Sequence, residues 1–76
     1  MKTIHSKVYK SLIEDLKQKR LEMKLTQASV SRALGKTQSY ISKIENYEKR
    51  LDILEFVNLS KVYRIQPSEV LKSHGW

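Results

Sequence analysis

The sequence predicts an all-α protein, a compact bundle of five helices. Apolar residues recur every three or four positions along most of the chain, which is the period of an amphipathic helix. Ser, Thr or Asp precedes several of these periodic segments, and these residue types cap helices. The dipeptides Asn-Gly and Asp-Gly, which favour β-hairpins, are absent from the 76 residues, which include only two Gly and one Pro. All three observations favour helices over strands.

The first helix is predicted from Ser6 to about Met23 or Lys24. We expect residues 1–5 to form a flexible arm before it. The Ser6 hydroxyl can accept a hydrogen bond from a backbone N–H of the first turn, which otherwise has no partner. The predicted apolar face consists of Val8, Tyr9, Leu12, Ile13 and Leu16.

Residues 26–46 predict two short helices joined by a tight turn, a helix-turn-helix. Thr26 can cap the first of these helices. Gly35 stands where that helix ends and the backbone favours a positive φ. Thr37 can then cap the second helix. The apolar residues expected to be buried are Val30, Ala33 and Leu34 in the first helix and Ile41 and Ile44 in the second.

Two further helices are predicted after a connection over residues 47–51. Asp52 is a candidate cap for the fourth helix, and Glu55 three residues later completes a capping box. Pro67 suits the first turn of the fifth helix, because an N–H at that position has no helical partner. The predicted buried side chains are Leu54, Phe56, Val57, Leu59 and Val62 in the fourth helix and Val70 and Leu71 in the fifth.

Length and composition limit the classes of function. A chain of 76 residues makes a single domain, residues 1–76, which buries about 60–65% of its unfolded surface. The absence of Cys excludes disulfides and thiolate zinc sites. No stretch reaches the ~20 apolar residues of a membrane span, so we expect a cytoplasmic protein with no membrane partner. The net charge of +7 favours an anionic partner such as nucleic acid, although many Lys-rich proteins are merely soluble.

One face of the second helix of the helix-turn-helix is polar and has no carboxylate. Amides, hydroxyls and a single cation suit both the base edges and the phosphates of DNA. The alternative interpretation is an ordinary solvated helix face. The residues of this polar face are Gln38, Ser39, Ser42, Lys43 and Asn46.

This stretch resembles the helix-turn-helix of the Xre-type family, which includes the lambdoid phage repressors and Cro proteins. The resemblance extends from about Leu16 to Leu71 and implies a lambda-repressor-like DNA-binding domain. The family usually has Gly at the positions of Lys24 and Tyr47. We therefore expect the helix before Tyr47 to run a turn further or to end without a left-handed residue. The matching residues are Thr26-Gln27-Ala28, Leu34-Gly35, Gln38-Ser39-Tyr40-Ile41-Ser42-Lys43-Ile44-Glu45-Asn46 and Lys49-Arg50-Leu51-Asp52.

The resemblance also implies roles for individual residues. Gln27 is expected to brace Gln38, and Arg20 is expected to pair with Glu45 across the interior. Lys43 suits either guanine or a phosphate, and the Tyr40 ring could instead pack on the neighbouring helix. The implied base-reading residues are Gln38, Ser39, Ser42 and Lys43, and the implied phosphate contacts are Gln27, Tyr40, Asn46, Lys49 and Arg50.

The predicted function is sequence-specific binding of double-stranded DNA by a transcriptional regulator. The resemblance favours a repressor or autoregulator that binds a two-fold operator as a homodimer, with Val70, Leu71 and Trp76 at the interface. The alternative is a protein-interaction module, such as an antitoxin whose main partner is a toxin protein. His5 and His74, with neither Cys nor clustered carboxylates, do not predict a metal site. No motif predicts an enzyme or a bound cofactor.

Overall fold

The computed structural model describes residues 6–75, which fold into five α-helices. No strand occurs within this range, so the predicted fold class is confirmed. The expected arm over residues 1–5 lies outside the described residues, as does Trp76. None of the helices between residues 6 and 75 has the length and apolarity needed to cross a membrane. The helices are α1 (Lys7–Glu22), α2 (Gln27–Ala33), α3 (Tyr40–Glu45), α4 (Ile53–Val62) and α5 (Pro67–Ser73).

Four of the five helices begin as the sequence predicts. The Ser6 hydroxyl accepts from the N–H of Tyr9 at 3.1 Å, and the Thr26 hydroxyl accepts from the N–H of Ser29 at 3.0 Å. Asp52 and Glu55 form the reciprocal capping box, with bonds of 2.7 and 3.0 Å. Pro67 occupies the first turn of α5. These local bonds fix where α1, α2, α4 and α5 begin.

The core lies between α1, α2, α3 and α4. The short α5 buries no residue fully, but Val70 and Leu71 pack against the core from outside. Since these two side chains point inward, they are poorly placed for the dimer contact predicted for α5. The buried apolar residues are Leu12, Ile13, Leu16, Val30, Tyr40, Ile41, Ile44, Phe56, Leu59 and Tyr63.

Three apolar residues predicted to be buried, Val8, Ala33 and Leu54, are exposed instead. Val8 is 40% exposed and Leu54 is 68% exposed, and Ile53 beside it is 71% exposed. The reason lies in the phase of each helix. In α4 the core side is set by Phe56 and Leu59, and at about 100° per residue Leu54 falls on the opposite side.

Left-handed residues end the first four helices, and only one of the four is Gly. Lys24, Gly35, Tyr47 and Arg64 have φ of 58, 68, 63 and 57°. At Tyr47 the N–H donates to the carbonyl of Ile44 and the next N–H donates to that of Lys43, as in a Schellman motif. The prediction that α3 runs on, or ends without a left-handed residue, is therefore wrong.

Candidate nucleic-acid interface

The start of α3 differs from the prediction. Thr37 is not the cap of this helix, and its backbone carbonyl accepts from the N–H of Tyr40 in a tight turn. Ser39 takes the cap position without a side-chain hydrogen bond. Gln38 therefore lies in the turn just before α3 and not within the helix. Gln38 is therefore part of the connection between α2 and α3.

A residue that the sequence analysis did not single out supplies the missing cap. The hydroxyl of Ser31, a fully buried residue of α2, accepts from the backbone N–H of Ile41 at 3.1 Å. This bond ties the first turn of α3 to α2 and fixes the angle between the two helices. The signal in the sequence is a small polar residue directly after the apolar Val30, on the edge of the buried face of α2.

Arg20 and Glu45 form the predicted ion pair across the interior. Arg20 Nε lies 2.7 Å from Glu45 Oε2 and Arg20 Nη2 lies 3.0 Å from Glu45 Oε1, so the pair is bidentate. The residues are 7% and 8% exposed, and Arg20 Nη1 also donates to the carbonyl of Leu25 at 2.8 Å. The hydrogen bond to Glu45 raises the pKa of Arg20, against the opposing effect of burial. The pair joins the late part of α1 to the end of α3.

Gln27 takes a different partner from the predicted one. Its amide Nε2 donates to Glu45 Oε1 at 2.8 Å instead of bracing Gln38. A buried carboxylate is a stronger acceptor than an exposed neutral amide, which explains the preference. Glu45 thereby accepts three hydrogen bonds from α1 and α2 together, and these bonds hold α3 in place. One face of Gln27 still borders the surface that carries Gln38.

A concave polar surface lies between the starts of α2 and α3. It is open to solvent, has a volume of about 500 Å³, and receives Gln38 and Ser39 as exposed side chains. The Ser42 hydroxyl donates to the carbonyl of Ser39 at 2.9 Å, and its oxygen can still accept a hydrogen bond. Three of the four predicted base-reading residues therefore meet at one surface. Its lining residues are Gln27, Ala28, Gln38, Ser39 and Ser42.

Tyr40 is buried, with only 5% of the residue exposed. Burial and a hydrogen bond with Glu55 raise the pKa of its hydroxyl. The ammonium groups of Lys36 and Lys49 lie 5.4 and 5.7 Å from the centre of its ring. This environment favours the packing alternative for Tyr40 over a phosphate contact. Tyr40 instead links α3 to α4 and to the loops on either side of α3.

Apart from Gln27 on α2, the cationic and amide groups predicted to contact phosphates lie at the end of α3 and on the loop after it. Lys43, Asn46 and Arg50 are exposed. Lys49 is half-buried, and its ammonium lies 3.4 Å from Glu55 Oε2, so this cation is held close to the start of α4. Together with the polar surface between α2 and α3, these groups place amides, hydroxyls and cations on α3 and on the segments on either side of it.

Comparisons with known proteins agree with this architecture. The helix-turn-helix family model matches residues 16–70. A solved structure, an XRE-family like protein from Pseudomonas syringae pv. tomato str. DC3000, superposes with a TM-score of 0.87 at 36% identity. The alignment covers 96% of this chain and 89% of the other. No curated protein matches the chain. The chain therefore belongs to the XRE family of helix-turn-helix DNA-binding proteins.

Proposed function

We propose that this chain is a sequence-specific transcriptional regulator of the cytoplasm, a repressor or autoregulator that binds a two-fold DNA operator as a homodimer. The observation that supports this most strongly is the polar surface between α2 and α3. Its exposed amide and hydroxyl groups match the donors and acceptors that base edges present in the major groove. The start of a recognition helix is the part that lies deepest in that groove.

Base reading is assigned to four residues in this proposal. The Gln38 amide offers a donor and an acceptor in the arrangement that adenine complements. Ser39 and Ser42 offer hydroxyls, and Lys43 stands one turn further along, where guanine or a phosphate can accept from it. The hydrogen bonds from Arg20 and Gln27 to Glu45 support this role, because they fix the orientation of α3 before DNA binds.

Phosphate binding is assigned to residues on either side of the base-reading groups. Asn46, Lys49 and Arg50 follow α3 along the backbone of one strand, and Gln27 stands at the N-terminus of α2, where the helix dipole favours an anion. If Gln27 donates to a phosphate, it uses the N–H that is not bound to Glu45. Tyr40 is left out of this proposal because it is buried.

The alternative, a module that mainly binds a protein such as a toxin, requires an exposed apolar surface. The helix-turn-helix surface is polar, which favours DNA there. An exposed apolar pair does occur at the start of α4, outside the helix-turn-helix.

The proposal is tested by measuring which variants lose sequence preference. An operator is first selected from a random duplex library with the unchanged protein. Gln38→Ala is expected to cost about 1–3 kcal/mol on this operator and to relax preference at one base pair per half-site. Binding to unrelated duplex should change little, since Gln38 is expected to read a base and not the backbone.

The matched control is Gln18→Ala, which removes an exposed amide from α1. This variant should bind every sequence as the unchanged protein does. If Gln38→Ala lowered the affinity for all DNA sequences equally, base reading would have to be assigned to Ser39, Ser42 or Lys43 instead. An unchanged protein that selected no sequence from the library would overturn the proposed function itself.

A further inference from the structure

Two large apolar side chains stand out into solvent at the start of α4. Ile53 is 71% exposed and Leu54 is 68% exposed, whereas the other large exposed apolar residues, Val8 and Leu21, are 40% and 47% exposed. Single exposed apolar residues are normal on protein surfaces. Two neighbouring residues with this much exposure, followed on the same side of the helix by the half-buried Val57, form a small apolar face.

The helical period places these residues together. At about 100° per residue, Ile53, Leu54, Val57 and Lys61 fall within one sector about 100° wide, on the side of α4 that faces away from the core. A shallow depression of about 350 Å³ adjoins the far end of this face. The apolar projection and the depression therefore lie at opposite ends of one helix face. The depression is lined by Val57, Lys61, Arg64, Ile65, Gln66 and Pro67.

Charge is also divided along the length of α4. Its start carries Asp52, whose exposed carboxylate caps the helix, and its end carries the exposed cations of Lys61 and Arg64. If a second copy of α4 lies antiparallel to the first, the negative end of each helix meets the positive end of the other. A two-fold contact requires such self-complementarity, because the same patch is used by both partners.

We propose that this face binds a second copy of the chain, with the two α4 helices antiparallel and the two-fold axis passing near Val57. Ile53 and Leu54 of one copy enter the depression of the other, and the start of each α4, which carries Asp52, lies beside the end of the other, which carries Lys61. The inference rests on the proposed function, since it names the surface through which the proposed homodimer forms. It replaces the interface on α5 that the sequence suggested.

The position of this face suits a DNA-bound dimer. The loop that carries Lys49 and Arg50 leads directly into the start of α4. Pairing across α4 therefore brings the two loops, with the phosphate contacts proposed on them, towards the two-fold axis. A helix of ten residues offers a small contact, so self-association should be weak without DNA and strengthen when two half-sites hold both copies.

The first experiment compares two double variants that remove equivalent apolar groups. Ile53→Ser with Leu54→Ser is expected to weaken self-association at least tenfold in sedimentation, without changing the helix content measured by circular dichroism. Affinity for a two-fold operator should fall, while affinity for an isolated half-site stays within about twofold. The control, Val8→Ser with Leu21→Ser on α1, should leave self-association and operator binding unchanged.

The second experiment uses the absence of Cys from the chain to test the orientation. In the proposed pairing Val57 lies opposite its own copy, so Val57→Cys should form a disulfide-linked dimer under mild oxidation. Val8→Cys should remain a monomer on the same gel.

The outcomes separate this inference from the proposed function. A dimer that survives the loss of Ile53 and Leu54, or a Val57→Cys protein that does not cross-link, would overturn the interface. An unchanged protein that stays monomeric on a two-fold operator would also overturn it and leave the exposed pair to another protein partner. A protein that dimerises through α4 but prefers no DNA sequence would overturn the proposed function and leave the interface standing.

Discussion

Glu45 carries more of the architecture than any other polar side chain described. Its carboxylate accepts hydrogen bonds from two nitrogens of Arg20 and from Gln27, so three helices meet at one residue. Glu45→Gln keeps the shape but removes the charge, which leaves the buried Arg20 guanidinium without its counter-ion. An uncompensated buried charge costs about 3–5 kcal/mol, so we expect a loss of that order in the free energy of unfolding.

Urea denaturation at neutral pH measures this loss. The control is Glu48→Gln, an exposed carboxylate on the loop just after α3, and this variant should unfold like the unchanged protein. If both substitutions had the same small effect, the Arg20–Glu45 pair would set the position of α3 but add little to the free energy of unfolding.

Glu55 makes the free energy of unfolding depend on pH in the acid range. Burial alone would raise the pKa of Glu55, but hydrogen bonds from the Asp52 backbone, the Tyr40 hydroxyl and Lys49 lower it below its ordinary value. A carboxyl whose pKa is lowered by folding stabilises the fold above its unfolded pKa, and this contribution disappears as the pH falls through the folded pKa. The advantage of the unchanged protein over Glu55→Gln should therefore be constant near neutral pH and shrink below about pH 4.5.

Unfolding by urea at a series of pH values from neutral to acid gives this difference directly. Glu48→Gln serves again as the control and should run parallel to the unchanged protein. A constant difference between the unchanged protein and Glu55→Gln down to the acid limit would contradict the assignment of these bonds to the ionised carboxylate.

At the scale of whole helices, the ends are more strained than the beginnings. Lys24 and Tyr47 hold a left-handed conformation that costs a residue with a Cβ about 1–2 kcal/mol relative to Gly. Lys24→Gly should therefore raise the free energy of unfolding by about 1 kcal/mol. Tyr47→Gly should gain less, because it removes the hydrogen bond from the Tyr47 hydroxyl to Glu14, 2.9 Å long, and the stacking of Lys10 on the ring.

Thermal unfolding of the two variants measures both effects. Lys24→Ala is the control, since it shortens the side chain without removing the Cβ, and it should not be stabilised. Should Lys24→Ala gain as much as Lys24→Gly, the side chain and not the backbone would be the source of strain.

How far the sequence predicts each helix depends on where the deciding interactions lie. Ser6, Thr26 and Asp52 cap helices through bonds to residues three positions away, so their roles can be read from neighbours in the chain. The cap of α3 comes from Ser31, ten positions before Ile41, and no local pattern indicates such a bond. The exposure of Leu54 was missed for a related reason, because apolar residues on both sides of α4 leave its core side undetermined until packing selects one.

The contacts of the candidate site also differ in how far the sequence predicts them. The Arg20–Glu45 pair was anticipated from resemblance alone, since the two residues are 25 positions apart and periodicity says nothing about their contact. The same resemblance implied that Gln27 braces Gln38, whereas the Gln27 amide donates to Glu45. The phosphate contact of Tyr40 stays a prediction, and the burial of Tyr40 favours the packing alternative. Periodicity does not indicate the burial of Glu45 and Tyr40, because it depends on how the helices pack together.

For the molecule as a whole, two features matter for DNA binding: the contacts that hold α3 in place and the net positive charge. Helices α1 and α2 hold α3 in place through Glu45, while Lys49 links the following loop to Glu55 of α4 and to the ring of Tyr40. The net charge of +7 gives the chain a general attraction for DNA, and the phosphate contacts proposed around α3 would convert part of that attraction into a fixed orientation.

The salt dependence of DNA binding separates general attraction from fixed contacts. Each phosphate neutralised contributes a slope of about 0.9 in the logarithm of the binding constant against that of the salt concentration. Arg50→Ala should therefore lower the slope by about one contact and weaken specific and unrelated duplexes alike. Lys72→Ala, which removes an exposed cation from α5 outside the helix-turn-helix, should leave the slope almost unchanged. Equal reductions for the two variants would mean that the overall charge of the chain, and not an anchor at Arg50, determines the salt dependence.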